Sequence, residues 1–235
     1  MTLKGFDSLR GRFITFEGGE GSGKSTHAAT LAQRLKALGL KVVLTREPGG
    51  TAVGDRVRAL VLDVAHAGMT PRAELLLYEA SRAQLVAEVV EPALERGAIV
   101  LCDRFADSST AYQAYGRGLP LAEVLALNLI ATAGLTPDLT VLLDIDPAAG
   151  LARARGAAGD AGADRLESED LAFHECVRAG FLALAGEDAG RIRLVDATGT
   201  PEEVAARVTS AVLAASAVLA ASAVAPGLAA LPEGW

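Results

Sequence analysis

Short apolar, β-prone runs recur along the chain at residues 13–16, 41–45, 98–102, 139–144 and 191–195, separated by longer stretches with helical periodicity. The runs lack the polar alternation of a half-solvated strand. They predict strands covered on both faces, and their alternation with helices predicts an α/β fold built on a five-stranded, parallel, doubly wound sheet. Ligands bind beyond the carboxyl ends of the strands in such sheets. Those ends read Glu17-Gly18, Arg46-Glu47-Pro48-Gly49-Gly50, Asp103-Arg104, Asp144-Ile145-Asp146-Pro147 and Asp196-Ala197-Thr198-Gly199, so charged groups and turn formers stand at each of them. The first helix is expected over 24–38, stopped by Gly39. Another is expected over about 71–92, where Leu75, Tyr78, Arg82 and Leu85 share one face.

Between the first strand and the first helix lies Gly18-Gly19-Glu20-Gly21-Ser22-Gly23-Lys24-Ser25, which meets G-x-x-x-x-G-K-[ST] at every fixed position. Strand, glycine loop, helix is the setting of a phosphate-binding loop and predicts a P-loop NTPase fold. The glycines let several N–H groups converge on one anion, and the helix adds its positive end. Lys24 supplies a mobile cation for the β/γ-phosphates, and the Ser25 hydroxyl is of the kind that ligates Mg²⁺. Asp103, closing the strand 99–102, is placed as a second carboxylate for that ion.

Other candidates follow from position. Arg46, on a sharp Pro-Gly-Gly bend, suits anion capture through its guanidinium fork. Tyr78 and Arg82 could stack on and bind a planar ligand, and Ser109, Tyr112 and Gln113 fall on one helical face, where hydroxyls and an amide could read the edge of a base. Arg153 and Arg155 precede a glycine-punctuated segment that reaches Asp164-Arg165. The segment, about 150–166, reads as a lid whose arginines stabilise transferring charge on closure.

The chain has 235 residues, 51% of them hydrophobic, and no charged or Gly/Ser-rich linker divides it, so one domain is expected, over 13–209. Residues 1–12 carry no apolar h-region and read as a loose leader. Residues 210–235, in which Ser-Ala-Val-Leu-Ala-Ala repeats, read as an Ala-rich C-terminal extension and not a membrane anchor. A net charge of −7 argues against a nucleic-acid partner. Cys102 and Cys176 lie outside any C-x-x-C spacing, and a reducing cytoplasm fits.

Taken in order, residues 16–25, Thr45-Arg46-Glu47-Pro48-Gly49-Gly50-Thr51, Asp103-Arg104-Phe105, Ser108-Ser109-Thr110-Ala111-Tyr112-Gln113 and Leu143-Asp144-Ile145-Asp146-Pro147 resemble bacterial thymidylate (dTMP) kinases over about 13–208. The resemblance implies that residues 18–25 hold the phosphates of ATP with Mg²⁺, and that Glu17 sits near the metal. Glu20 would contact the sugar 3′-hydroxyl of dTMP, and Arg46 and Arg104 would grip its phosphate. Tyr78 would stack on thymine, Arg82, Ser109 and Gln113 would hydrogen-bond its edge, and Tyr112 would disfavour a 2′-hydroxyl. The family divides by whether its catalytic arginine lies in the loop or the lid. Gly21 holds the loop position here, which leaves Arg153 and Arg155 as candidates. Tyr78 stands where Phe is usual and Phe105 where Tyr is usual. Related enzymes are commonly homodimers.

The implied reaction moves the γ-phosphoryl of Mg·ATP onto dTMP. The alternatives are a P-loop kinase for another nucleoside monophosphate or a nucleoside, a GTP-dependent switch and a metallohydrolase. The switch lacks N-K-x-D, since Asn128, the chain's only asparagine, precedes leucine, and H-E-x-x-H fails at His174-Glu175 because Arg178 holds the second His position.

Overall fold

A computed structural model describes residues 5–159 and 162–221, apart from the side chain of Ala158. Strands β1 (Phe13–Glu17), β2 (Val42–Arg46), β3 (Ile99–Asp103), β4 (Leu139–Asp144) and β5 (Ile192–Asp196) form one sheet. Its order is β2-β3-β1-β4-β5, and every pairing is parallel. The expected architecture is present. Four strands end one residue later than expected, so Glu17, Arg46, Asp103 and Asp196 are the last residues of their strands. Arg46 and Phe16 both align with Asp103, and Asp144 with Asp196, which lines up the charged ends on one edge.

The period of two sorts each strand onto two cores. Ile14, Phe16, Ile99, Leu101, Val141 and Leu143 meet α1 (Lys24–Ala37) on one face. Phe13, Val100 and Cys102 face the other way, toward Leu85, Val90 and Ala93. Between β2 and β3 run α2 (Ala52–Leu62), α3 (Pro71–Leu85), a π-helical turn (Val86–Val90) and α4 (Glu91–Glu95). The helix expected to stop near Pro92 therefore continues past it. Pro92 has no N–H to donate back along the helix, and the widened turn before it absorbs that gap. After β3 come α5 (Ala106–Ser109), a second π turn (Thr110–Gly116) and α6 (Leu121–Thr132), then α7 (Pro147–Ala158), α8 (Leu171–Glu187) and α9 (Pro201–Ala221) around β4 and β5.

Both expected domain limits differ from the structure. Phe6 and Leu9 are buried in the same core as Ile14, so residues 5–12 are no loose leader. The limit at 209 falls inside α9, whose Val204, Val208, Val212 and Ala215 are all buried against that core. Ser8 Oγ donates to Ser216 O at 2.8 Å, and Ser216 Oγ donates to Gly5 O at 2.8 Å, so the two ends hold each other. By length and hydropathy α9 could cross a membrane. Its buried stripe and the pairing of its Arg207 with Asp196 make it a helix of this domain. The remainder of the extension, 222–235, and residues 1–4 lie outside the described residues.

Candidate active site

The phosphate loop curls where side chains cannot follow. A Cβ on Gly18 would stand 2.3 Å from Leu143 O, and one on Gly21 would stand 1.9 Å from Gly150 O. Gly21 has φ +65°, so the position is closed to an arginine both sterically and conformationally. Gly23 begins α1 in the left-handed region, no side chain caps that helix, and its first N–H groups are left for an anion. Lys24 Nζ donates to Gly19 O at 2.7 Å. Burial, then the neighbouring Arg104 charge, lowers Lys24 to about 8 against the pull of Glu20, Asp103 and Glu17.

Ser25 Oγ donates to Asp103 Oδ2 in a close contact, and both line the cleft with Lys24 and Arg46. A hydroxyl and a carboxylate side by side are hard oxygen donors suited to Mg²⁺. Among the described residues no cluster of three His, Cys, Asp or Glu side chains surrounds a metal position. An ion here would draw its remaining ligands from phosphate and water. Glu17 does not join that pair. It is buried, with one oxygen accepting from Phe105 N–H at 2.7 Å and the other from Ser108 Oγ at 2.6 Å. Burial, then Asp107, raises its carboxyl. These bonds hold the Asp103-Arg104-Phe105 turn, and they leave Glu17 close enough to act on Lys24 beside the Ser25–Asp103 pair.

That turn carries strain, because Arg104 has φ +70°. The guanidinium is tied down in return. It donates to Gly18 O at 3.0 Å, Glu20 Oε1 at 2.6 Å and Tyr112 OH at 3.0 Å, and lies 4.9 Å from the Tyr112 ring centroid. Tyr112 OH in turn donates to Glu20 Oε1 at 2.7 Å. Burial would raise the Glu20 carboxyl, but the charges of Arg104 and Lys24 and the Tyr112 hydrogen bond hold it at about 2.

Beside this cluster opens a pocket lined by Glu20, Tyr78, Arg82, Arg104, Ser109, Tyr112 and Gln113, seven of the expected residues. Arg82 is fully buried and more committed than expected. Nη1 donates to Glu79 Oε1 at 2.6 Å and Asn128 Oδ1 at 2.5 Å, and Nη2 to Glu47 in a close contact, Phe105 O at 3.3 Å and Ser109 Oγ at 2.9 Å. Only Nε lacks a partner among the described residues. Ser109 therefore braces Arg82, whose Nε is buried without a partner. Gln113 Nε2 donates to Glu74 Oε1 at 2.9 Å.

Arg46 stands 57% exposed on the cleft wall, loosely paired with Asp55 at 3.6 Å, and is free to meet an anion. The expected lid is helical in its first half. Arg153, on α7, lines the cleft and donates to Ala197 O at 2.8 Å. Arg155 is exposed and off the cleft wall, since two residues along a helix turn a side chain to the opposite side. Arg165 is buried, with Nε donating to Val61 O at 2.7 Å and Nη2 2.5 Å from Glu74 Oε2. Residues 160–161 lie outside the described residues.

Sequence reasoning missed Arg58, which lines both cleft and pocket, and Glu74 with Arg117. No motif marks Arg58. Glu74 did leave a signal, for it lies four residues before Tyr78 and eight before Arg82 on the same face of α3.

A thymidylate kinase family model matches residues 16–208. The chain is 52% identical over 204 residues to the thymidylate kinase of Trichlorobacter lovleyi, covering 86% of this chain and 96% of that protein. It is 55% identical over 203 residues to that of Deinococcus radiodurans, covering 86% and 97%. Among solved structures it resembles thymidylate kinase from Ehrlichia chaffeensis with a TM-score of 0.67 and 33% identity, over 85% of this chain and 96% of that one.

Proposed function

The chain belongs to the thymidylate kinase family and is a nucleoside monophosphate kinase that phosphorylates dTMP, and we propose that its two adjoining sites divide the reaction between a donor cleft and an acceptor pocket. The phosphate loop and the N-terminus of α1 hold the ATP phosphates, with Lys24 following the β/γ-phosphates. Ser25 and Asp103 hold Mg²⁺, which neutralises charge on the transferring group. In the pocket Glu20 meets the deoxyribose 3′-hydroxyl and Tyr112 crowds the 2′ position. Tyr78 stacks on thymine, and Arg82 and Gln113 Oε1 meet its edge.

The observation that carries this reading is the Glu20–Arg104–Tyr112 cluster, which joins the phosphate loop to the pocket and so sets donor and acceptor side by side. The acceptor needs no general base, because a phosphate monoester with a second pKa of about 6 is already largely dianionic at neutral pH. The chemical difficulty is to align two anions that repel. Arg46 and Arg104 take the acceptor phosphate, and Arg153 the group in flight. An ADP-release assay with Mg·ATP and dTMP, dUMP, UMP, dCMP, AMP or thymidine tests the assignment. Strong preference for dTMP is expected, and turnover of another monophosphate without dTMP would overturn the pocket.

The protein acts in the cytoplasm as a homodimer in this reading. Leu76 on α3 and Leu121, Leu125, Leu129 and Ile130 on α6 are exposed on two helices that pack together, with Ile130 71% exposed. An apolar face of that kind is suited to a second copy. Light scattering should give twice the chain mass, reduced to one in Ile130→Glu.

A further inference from the structure

Glu74 is fully buried on α3, beneath the acceptor pocket and outside its lining. Its Oε1 accepts from Gln113 Nε2 at 2.9 Å and Arg117 Nε at 3.2 Å, and its Oε2 from Arg117 Nη2 at 3.1 Å, with Arg165 Nη2 2.5 Å away. Burial would raise this carboxyl, but the hydrogen bonds from Arg117 and Gln113 hold it below the usual range. It is an anion clamped by two guanidinium groups, and an ionised carboxylate can only accept.

We propose that Glu74 is a positioning residue for base selectivity, which fixes the Gln113 amide with its NH₂ turned inward and its Oε1 presented to the pocket. The proposal rests on reading that pocket as the site of a nucleotide base. An amide can offer either end, and which end faces the ligand is settled by what stands behind it. Turning Gln113 over would set its carbonyl against the Glu74 carboxylate, leaving two buried acceptors facing each other. Oε1 has no hydrogen-bond partner among the described residues. Arg82 beside it is held as firmly, since its terminal nitrogens are both committed.

The pocket thus offers at Gln113 an acceptor of assigned polarity. Thymine and uracil match it with N3–H. Cytosine presents an N3 lone pair instead, and would leave acceptor against acceptor. Sites of this kind reject the mismatched ligand strongly because their own buried groups go unpaired.

The test is the ratio of kcat/KM for dTMP to that for dCMP, which is independent of the fraction of correctly folded enzyme. Glu74→Gln can accept or donate, so it releases Gln113. The ratio is expected to fall by about tenfold or more, the worth of one hydrogen bond, through a higher KM for dTMP with kcat less affected. In the double variant Glu74→Gln/Gln113→Glu the side chain at 113 can only accept, and the ratio is expected to recover by about tenfold. A loss of packing alone would lower both kcat/KM values and leave the ratio where it was. A ratio that Glu74→Gln leaves unchanged, or that stays low in the double variant, overturns the proposal. Wild-type enzyme that does not use dTMP overturns the pocket reading first, and this proposal with it.

Discussion

Replacing Arg104 by alanine tests how the acceptor pocket is held together. In the folded protein Glu20 is drawn from 4.5 down to about 2, with Arg104 the largest of the groups opposing its burial, ahead of Lys24 and Tyr112. Each pKa unit is worth about 1.4 kcal/mol, so ionised Glu20 contributes about 3 kcal/mol at neutral pH. Removing one partner of a buried ion pair costs a similar amount, about 3–5 kcal/mol. Arg104→Ala should therefore lower the unfolding free energy by about 3 kcal/mol at pH 7, measured by urea denaturation. Because the folded pKa of Glu20 lies below the unfolded one, its stabilisation is complete above 4.5 and is lost as pH falls through the window toward 2. The difference between wild type and variant should narrow over that window, as protonation removes the Glu20 charge in both. A gap that stays constant from pH 7 to the acid limb would refute the assignment and leave Arg104 a packing residue. In steady-state kinetics the same variant should raise the KM for dTMP more than it lowers kcat.

Gly21→Ala places a Cβ 1.9 Å from Gly150 O on a backbone with φ +65°, and should cost about 1–3 kcal/mol of stability together with ATP affinity, read by thermal unfolding and ATP titration. Arg153→Ala should lower kcat by about ten- to a hundredfold, whereas Arg155→Ala, off the cleft, should change it by less than about threefold; equal effects would remove the distinction between them. Lys24 titrates at about 8 in the free enzyme and bound phosphate favours its cation, so the KM for ATP should rise with pH above 8, approaching about tenfold per unit. Ending the chain after residue 209 removes buried Val212 and Ala215 and the Ser216 contacts to Gly5 and Ser8, and should lower Tm by more than about 5 °C in calorimetry.

The parts legible in the sequence are those where one segment dictates its own structure. The apolar runs gave the strands, and the phosphate loop needed no partner to be recognised, because glycine spacing between a strand and a helix is a local property. Glu20 and Arg104 could be named for the same reason, as each follows closely on a strand end, and Tyr112 and Gln113 because they share one face of the helix after β3. The limit at 209 falls inside α9 because the uncharged Ala and Ser composition beyond it hides the continuation of a buried stripe in which Val204, Val208 and Val212 recur every four residues. Glu17 and Arg82 were only partly legible, for a different reason. The kind of side chain at a position was readable, but the groups that occupy it were not: Glu17 faces backbone and hydroxyl donors 88 and 91 residues away, and Arg82 takes acceptors from Glu47 and Asn128, 35 and 46 residues away. Such partners decide which atom of a functional group is left over for a ligand. A glutamine reduced to one free carbonyl is more selective than the residue named in a motif, because a ligand that mismatches it finds no rotation by which the amide can accommodate it. On the proposal made for Glu74, selectivity is set by a residue behind the pocket, whose only mark in the sequence is the helix face it shares with Tyr78 and Arg82.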